Sequence, residues 1–208
     1  MNQMSEKEFK QRWSELHGGA EVEGVVDGWL SFSYQAARVC AALRISPNVL
    51  TLLGLLTAIA MGLSSYAAIA FLLLAVSLFF DGIDGSVAIV QRRESKWGGL
   101  LDSVADRISE AFWLYMGWRL DIPAWILITM WVVASTQEYA RARLASLGHH
   151  EIGTVTPTER PVRAIFIALA LIFYIFDIPG ILQMSYAFLA LLLFSFFRVM
   201  VVAKKALR

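Results

Sequence analysis

Six apolar stretches, near residues 46 to 65, 67 to 91, 98 to 119, 122 to 142, 161 to 177 and 179 to 202, follow one another with only short polar loops between them. Each approaches the roughly 20 residues that a helix needs to cross a bilayer, where the backbone must satisfy its own hydrogen bonds. With 58% of 208 residues hydrophobic and a mean hydropathy of +0.60, an ordinary soluble domain is excluded. The pattern predicts an all-α integral membrane protein with six transmembrane helices.

The formal net charge of +1 conceals an asymmetry. Arg92, Arg93 and Lys96 follow the second stretch, Arg143 to Arg160 frame the loop after the fourth, and Lys204, Lys205 and Arg208 follow the sixth. Lys7, Lys10, Arg12, Arg38 and Arg44 precede the first, whereas the opposite side offers Arg119. The positive-inside rule then gives a multi-pass plasma (inner) membrane protein with both termini and the loop at Arg92 in the cytoplasm. Cys40 is the single cysteine, so no intrachain disulfide forms. Residues 1 to 26 have no apolar core leading to a cleavage site, and insertion is expected to rely on the first spans.

Four regions follow. Residues 1–25 form a polar N-terminal segment, 26–45 an interfacial amphipathic helix, 46–203 the six-helix domain and 204–208 a basic C-terminal tail. The second carries Trp29, Leu30, Phe32, Tyr34, Ala37, Val39 and Leu43 at roughly helical spacing beside Arg38 and Arg44; a buried first helix is the alternative. Ser46-Pro47-Asn48 breaks it and starts the first span, because proline fits the first helical turn and pushes its predecessor out of the helix. Ser64-Ser65, Asp121-Ile122-Pro123 and Asp177-Ile178-Pro179-Gly180 mark the outer turns.

Asp81, Asp84, Asp102 and Asp106 lie inside this apolar sequence. Carboxylates at membrane depth are costly and mark functional sites. The first two are three residues apart and the last two are four apart, so each pair shares one helix face. Counted from the loop at about 1.5 Å per residue, Asp84 and Asp81 lie about 12 and 16 Å deep, against about 8 and 14 Å for Asp102 and Asp106. An antiparallel hairpin therefore brings all four to similar depth, and Gly82, Gly85, Ser86, Ala88, Gly98, Gly99, Ser103 and Ala105 allow close approach. Hard divalent cations, Mg²⁺ or Mn²⁺ and two in number, would neutralise such a cluster and clamp a pyrophosphate. A proton relay, an ion pathway or pairing with Arg107 are the other readings of membrane aspartates.

The spacing resembles the signature of the CDP-alcohol phosphatidyltransferase family, D-x-x-D-G-x-x-A-R, eight residues, then G-x-x-x-D-x-x-x-D. Here it reads Asp81, Asp84, Gly85, Ala88, then Gly98, Asp102, Asp106, with Ile89 in place of the arginine. The resemblance covers residues 46 to 203 and implies six membrane helices. It also implies transfer of a phosphatidyl group from a CDP-lipid such as CDP-diacylglycerol to an alcohol, releasing CMP. Asp81, Asp84 and Asp102 would hold the metals, while Asp106 would complete that site and act as general base. Asn48, Thr51, Gly85 and Ala88 would line the nucleotide cleft, although a Thr51 hydroxyl bonded to its own helix is an equal alternative. Arg92 or Arg93 would substitute for the arginine missing at Ile89.

Segments 138–143 and 158–163 resemble those flanking the acceptor pocket of phosphatidylinositol phosphate synthases. Arg141, Arg160, Arg163 and Arg198 would then hold an acceptor phosphate, since guanidinium groups bind phosphate in bidentate fashion. Positive-inside anchoring is the plainer account of these arginines. The partners implied are CDP-diacylglycerol, a polar alcohol acceptor (inositol phosphate, with glycerol phosphate as alternative), membrane lipids and a second copy in a homodimer, with no nucleic acid. A divalent-cation carrier or a catalytically silent membrane partner are the rival classes. His149-His150-Glu151 reads as a solvated loop rather than a metal site.

Overall fold

In the computed structural model the described residues, 4–149 and 156–207, form eight α-helices and no strand. They are α1 (Glu6–Leu16), α2 (Gly24–Ala42), α3 (Pro47–Leu63), α4 (Ala67–Gln91), α5 (Lys96–Arg119), α6 (Ala124–Ser146), α7 (Arg160–Ile175) and α8 (Ile181–Ala206). α3 to α8 cover the residues of the six apolar stretches, and α2 covers those of the amphipathic segment. His150 and Glu151 lie outside the described residues.

Two expectations change. The N-terminal segment is not merely polar but holds α1, which begins with a capping box: Glu8 N–H donates to Ser5 Oγ at 3.3 Å and Ser5 N–H donates to the Glu8 carboxylate at 2.7 Å. Gly18 and Gly19, both left-handed with φ of 69° and 81°, follow its end. Nor is the C-terminus a separate tail, because α8 runs through Lys204 and Lys205, whose charges complement the helix C-terminus.

The turns expected on the outer side lie where the sequence punctuates them. Asp121 and Asp177 adopt left-handed φ of 65° and 52°, and Gly180 one of 116°. Arg119, the cation expected on that side, donates to the carbonyls of Gly62 and Ser64, which end α3.

By length and composition, α4 and α8 are each apolar enough to cross a membrane among the described residues; α2 and α3 pass only together, bent by 109° at their junction. α3 and α7 have 17 and 16 residues, and α5 carries Asp102, Asp106, Arg107 and Glu110 in its interior. Large apolar side chains point outward from several helices, among them Leu56, Leu72, Ile128, Phe194 and Phe197, each more than half exposed. Such apolar faces belong in lipid, and the chain is an integral membrane protein.

The chain divides into two compact units. The first combines residues up to Thr57 with Ala75–Ile108. Two apolar clusters hold it: Phe9, Leu30, Tyr34 and Ile89, then Ala37, Leu50, Ile83 and Val87. The second combines Ala58–Leu74 with Ser109–Arg208. Its buried residues include Trp113, Ile126, Met130, Ile167 and Leu171, and the Phe166 and Phe188 rings stack at 4.5 Å. Gly62 is required there, because a Cβ would stand 2.9 Å from the Phe112 carbonyl oxygen and side chain.

Candidate active site

Helical spacing gathers the acidic residues of the first unit. Asp81 from α4 with Asp102 and Asp106 from α5 place one carboxylate oxygen each within 4.8 Å of one another. Asp84 is set beside this group rather than within it. Its carboxylate accepts the Thr51 hydroxyl at 2.5 Å and the Gly85 N–H at 2.6 Å. Thr51 Oγ1 also lies 3.3 Å from the Pro47 carbonyl of its own helix. A hydroxyl has one proton to give, and the shorter contact with a charged acceptor takes it. The Thr51 hydroxyl is thus given to Asp84 in preference to its own helix, a contact that neither sequence reading of Thr51 named.

Asp81, Asp84, Asp102 and Thr51 border a cleft of about 320 Å³, whose lining does not extend to Asp106. Asn48, Thr51, Gly85 and Ala88, the expected nucleotide set, all line it together with Asp81, Asp84 and Asp102. Its glycines divide by role. A Cβ at Gly85 or Gly99 would meet nothing within 4 Å, so both leave open space, whereas a Cβ at Gly82 would stand 2.8 Å from the Trp29 ring. A Cβ at Gly98 would stand 3.1 Å from Ser95 Oγ and 3.3 Å from Asn48 Oδ1.

At Ile89 the signature arginine is replaced by a side chain only 3% exposed and packed in the apolar cluster with Phe9. Four residues later, Arg93 lines the cleft. The helix end makes this turn: Arg92 takes a left-handed φ of 53°, and Arg93 N–H reaches back to the Ala88 carbonyl at 2.8 Å. Trp13, Leu16, His17 and Trp29 complete the wall. Sequence reasoning missed the first three. The Ser5/Glu8 capping box, followed by Phe9, Trp13 and Leu16 at helical spacing, is the signal that finds them.

The second unit holds the expected acceptor arginines. Arg163 is 6% exposed, and its Nε and Nη1 donate to Glu110 at 3.1 Å and the Thr158 carbonyl at 3.0 Å. Its Nη2 donates to Glu138 at 3.2 Å. Arg141 binds Glu159 in bidentate fashion, at 2.8 and 2.7 Å. Burial alone raises the Glu159 carboxyl, but Arg141 with the N–H and hydroxyl of Thr156 more than offsets it, drawing the pKa down to about 2. Arg160 is placed differently: it lies 5.2 Å over the Trp113 ring and 3.9 Å from Glu110. Arg198 is exposed on α8, and none of these bonds reaches it among the described residues.

Three carboxylates within contact range form an oxygen-rich group suited to a hard divalent cation. Set in a cleft with small residues and one arginine, they can receive a ligand that is itself strongly anionic.

The family model for CDP-alcohol phosphatidyltransferase matches residues 44–202. Archaetidylinositol phosphate synthase from Pyrococcus horikoshii is 35% identical over 144 residues, covering 65% of this chain and 74% of that protein. Phosphatidylinositol phosphate synthase from Streptomyces avermitilis is 31% identical over 150 residues, and the chain spans 66% of itself and 62% of that relative in the match. Crystal structures of the Mycobacterium tuberculosis phosphatidylinositol phosphate synthase, one with CDP-DAG bound and one in complex with manganese and citrate, share the fold. Their TM-scores are 0.69 and 0.70 at 18% and 19% identity, covering 82% of this chain and 92% and 88% of theirs. Motif, fold and family match agree, and the chain belongs to the CDP-alcohol phosphatidyltransferase family as a membrane-embedded transferase.

Proposed function

We propose that the chain transfers the lipid phosphate of a CDP-lipid to a hydroxyl of a phosphorylated polyol and releases CMP. Inositol phosphate is the preferred acceptor, as the names of both relatives suggest, and glycerol phosphate is the nearest alternative. The lipid half is diacylglycerol or the archaetidyl group named for the Pyrococcus relative. The observation that carries this reading is the convergence of Asp81, Asp102 and Asp106 within 4.8 Å, beside a cleft lined by the signature's small residues.

Asp81, Asp84, Asp102 and Asp106 are the residues to hold two divalent ions, Mg²⁺ or Mn²⁺. When bound, such ions neutralise the pyrophosphate and polarise its phosphorus. Thr51 and the Gly85 N–H fix Asp84 and leave it further lone pairs. Asp106 takes the proton of the acceptor hydroxyl as that oxygen bonds to the lipid-bearing phosphorus; the bond from that phosphorus to the bridging oxygen breaks, and CMP departs with the electron pair. Asn48, Thr51, Gly85 and Ala88 shape the nucleotide cleft, and Arg93 supplies the cation missing at Ile89. Arg141, Arg160, Arg163 and Arg198 form the acceptor-phosphate set, and the bonds of Arg141 and Arg163 to carboxylates fix the shape of that pocket.

In the same reading α3 to α8 are the six spans and α2 lies at the interface. Both termini and the cleft face the cytoplasm, and the enzyme works as a homodimer. The deciding assay uses purified protein, CDP-diacylglycerol and Mn²⁺ with a panel of phosphorylated and plain alcohols. Release of CMP is expected to be fastest with inositol phosphate. Equal rates with inositol and inositol phosphate would overturn the choice of acceptor, and no CMP release with any acceptor would favour a silent membrane partner.

A further inference from the structure

The family match begins at residue 44, yet the cleft is partly built by residues before it. α1 presents Phe9, Trp13 and Leu16 at spacings of four and three, so they share one face of the helix, and His17, four residues after Trp13, caps its end. Phe9 is fully buried against Leu30, Tyr34 and Ile89, and one turn later Trp13 lines the cleft. His17 ends the helix, stacked on Trp13 with ring centroids 4.0 Å apart and planes 19° from parallel. Its Nδ1 lies 2.8 Å from the Trp13 carbonyl, which fixes the ring in place.

Polar contacts hold α1 on both sides of this stripe. Lys10 bonds Asp27 and Ser31 of α2 at 2.5 and 2.8 Å, and Arg12 bonds Glu94, a cleft residue between α4 and α5, at 3.0 Å. Met4 accepts the Tyr34 hydroxyl at 2.7 Å. The exposed ion pairs are weak individually, so the buried Phe9 is the main anchor. Its seat includes Ile89, the position where the family signature has arginine. Ile89 also lines the cleft, so one side chain both seats Phe9 and faces the carboxylates. An arginine at this position would give up the apolar packing on Phe9 and Leu30, which ties Ile89 to the docking of α1.

We propose that α1 is a wall of the donor site, in which the stacked rings of Trp13 and His17 hold the cytosine ring of the CDP-lipid, with Ile89 as the seat of the wall. This rests on the reading of the cleft as the CDP-lipid site. The carboxylates on α4 and α5 suit the pyrophosphate through cations, and a flat aromatic pair in the same cleft suits the flat base; base–aromatic stacking contributes to affinity whatever the sequence context. Trp13 and His17 then select a nucleoside diphosphate over a bare pyrophosphate, whereas the aspartates do not distinguish the two.

The test is calorimetric titration of full-length protein, in Mn²⁺, with CDP and separately with inorganic pyrophosphate. Trp13→Ala and His17→Ala are each expected to weaken CDP by about tenfold, the loss of one stack, while pyrophosphate affinity stays within about twofold. Trp13→Phe, which keeps a ring, should recover most of the CDP affinity. In turnover, Trp13→Ala should raise KM for the CDP-lipid and leave that for the acceptor unchanged. Unaltered CDP affinity in both alanine variants, or equal loss of CDP and pyrophosphate, overturns the wall and leaves the donor reading standing. Wild-type protein that binds neither ligand overturns the donor reading and the wall with it.

Discussion

The acidic group of the first unit and the arginine network of the second manage charge in opposite ways. In the network, Arg141, Arg160 and Arg163 face Glu110, Glu138 and Glu159, so each buried cation has an anion at hand. In the acidic group, Asp81, Asp102 and Asp106 bring one carboxylate oxygen each within 4.8 Å, with Asp84 nearby. A network of paired charges can be structural, whereas a cluster of carboxylate oxygens suits a hard divalent cation. In the proposed reading the carboxylates therefore carry the chemistry and the arginine network gives the acceptor pocket its shape.

The largest effect separating these two roles is expected at the aspartates. Asp81→Asn or Asp102→Asn keeps the side-chain shape but removes an anionic ligand, and CMP release should fall below detection while the melting temperature holds or rises. More than a tenth of wild-type turnover at saturating metal would count decisively against a two-metal site. Asp106→Asn should lower kcat by about 10² to 10⁴, the usual contribution of a general base, with KM for the CDP-lipid little changed. Parallel loss of both would make Asp106 a metal ligand only.

Arg163→Ala should act on stability instead. It leaves Glu110, 3% exposed, without its closest cation, and removing one partner of a buried pair costs about 3 to 5 kcal/mol. A steep drop in melting temperature is expected; an unchanged melting temperature with a raised acceptor KM would move Arg163 into the binding machinery. Arg160→Ala should be read in the acceptor, raising its KM by about ten- to 150-fold, the equivalent of roughly 1.5 to 3 kcal/mol for a charge-assisted bond to phosphate. It should also narrow the preference for a phosphorylated acceptor over its parent alcohol. A weakened CDP-lipid with intact acceptor preference would instead make Arg160 a substitute for the arginine missing at Ile89.

The sequence made one side of this contrast far more legible than the other. Asp81, Asp84, Asp102 and Asp106 lie on two consecutive helices, where spacings of three and four residues fix the face and a short loop fixes the pairing. The outer turns were equally local, written in Asp121-Ile122-Pro123 and Asp177-Ile178-Pro179-Gly180. The bond from Arg163 to Glu110 joins residues 53 apart in sequence, and no periodicity encodes such a contact. Ile89 shows the limit most clearly: as a departure from a motif it reads as a lost cation, and only its packing on Phe9 shows what replaced it. α1 was hidden for another reason, because a helix docked by one stripe keeps a polar exterior and resembles a solvated segment.

The smallest effect belongs to Glu159, which the network holds ionised at the start of α7. Its pKa falls from the ordinary carboxyl value of 4.5 to about 2. A depressed carboxylate contributes stability that is complete above its unfolded value and is lost as pH falls through the folded one. Wild-type protein should therefore lose melting temperature as pH drops below about 4.5, approaching a floor near pH 2. Glu159→Gln has no proton to gain, so it should start lower at neutral pH, because the bidentate bond from Arg141 loses its charge. Its profile should then be flatter through the acid range and meet that of the wild type at the acid end. CMP release at neutral pH should change little, since Glu159 acts on Arg141 and Thr156 rather than on substrate. Parallel melting profiles for the two proteins would show that Arg141 draws no stability from this pair, and a large loss of turnover would place Glu159 with the functional charges instead of the structural ones.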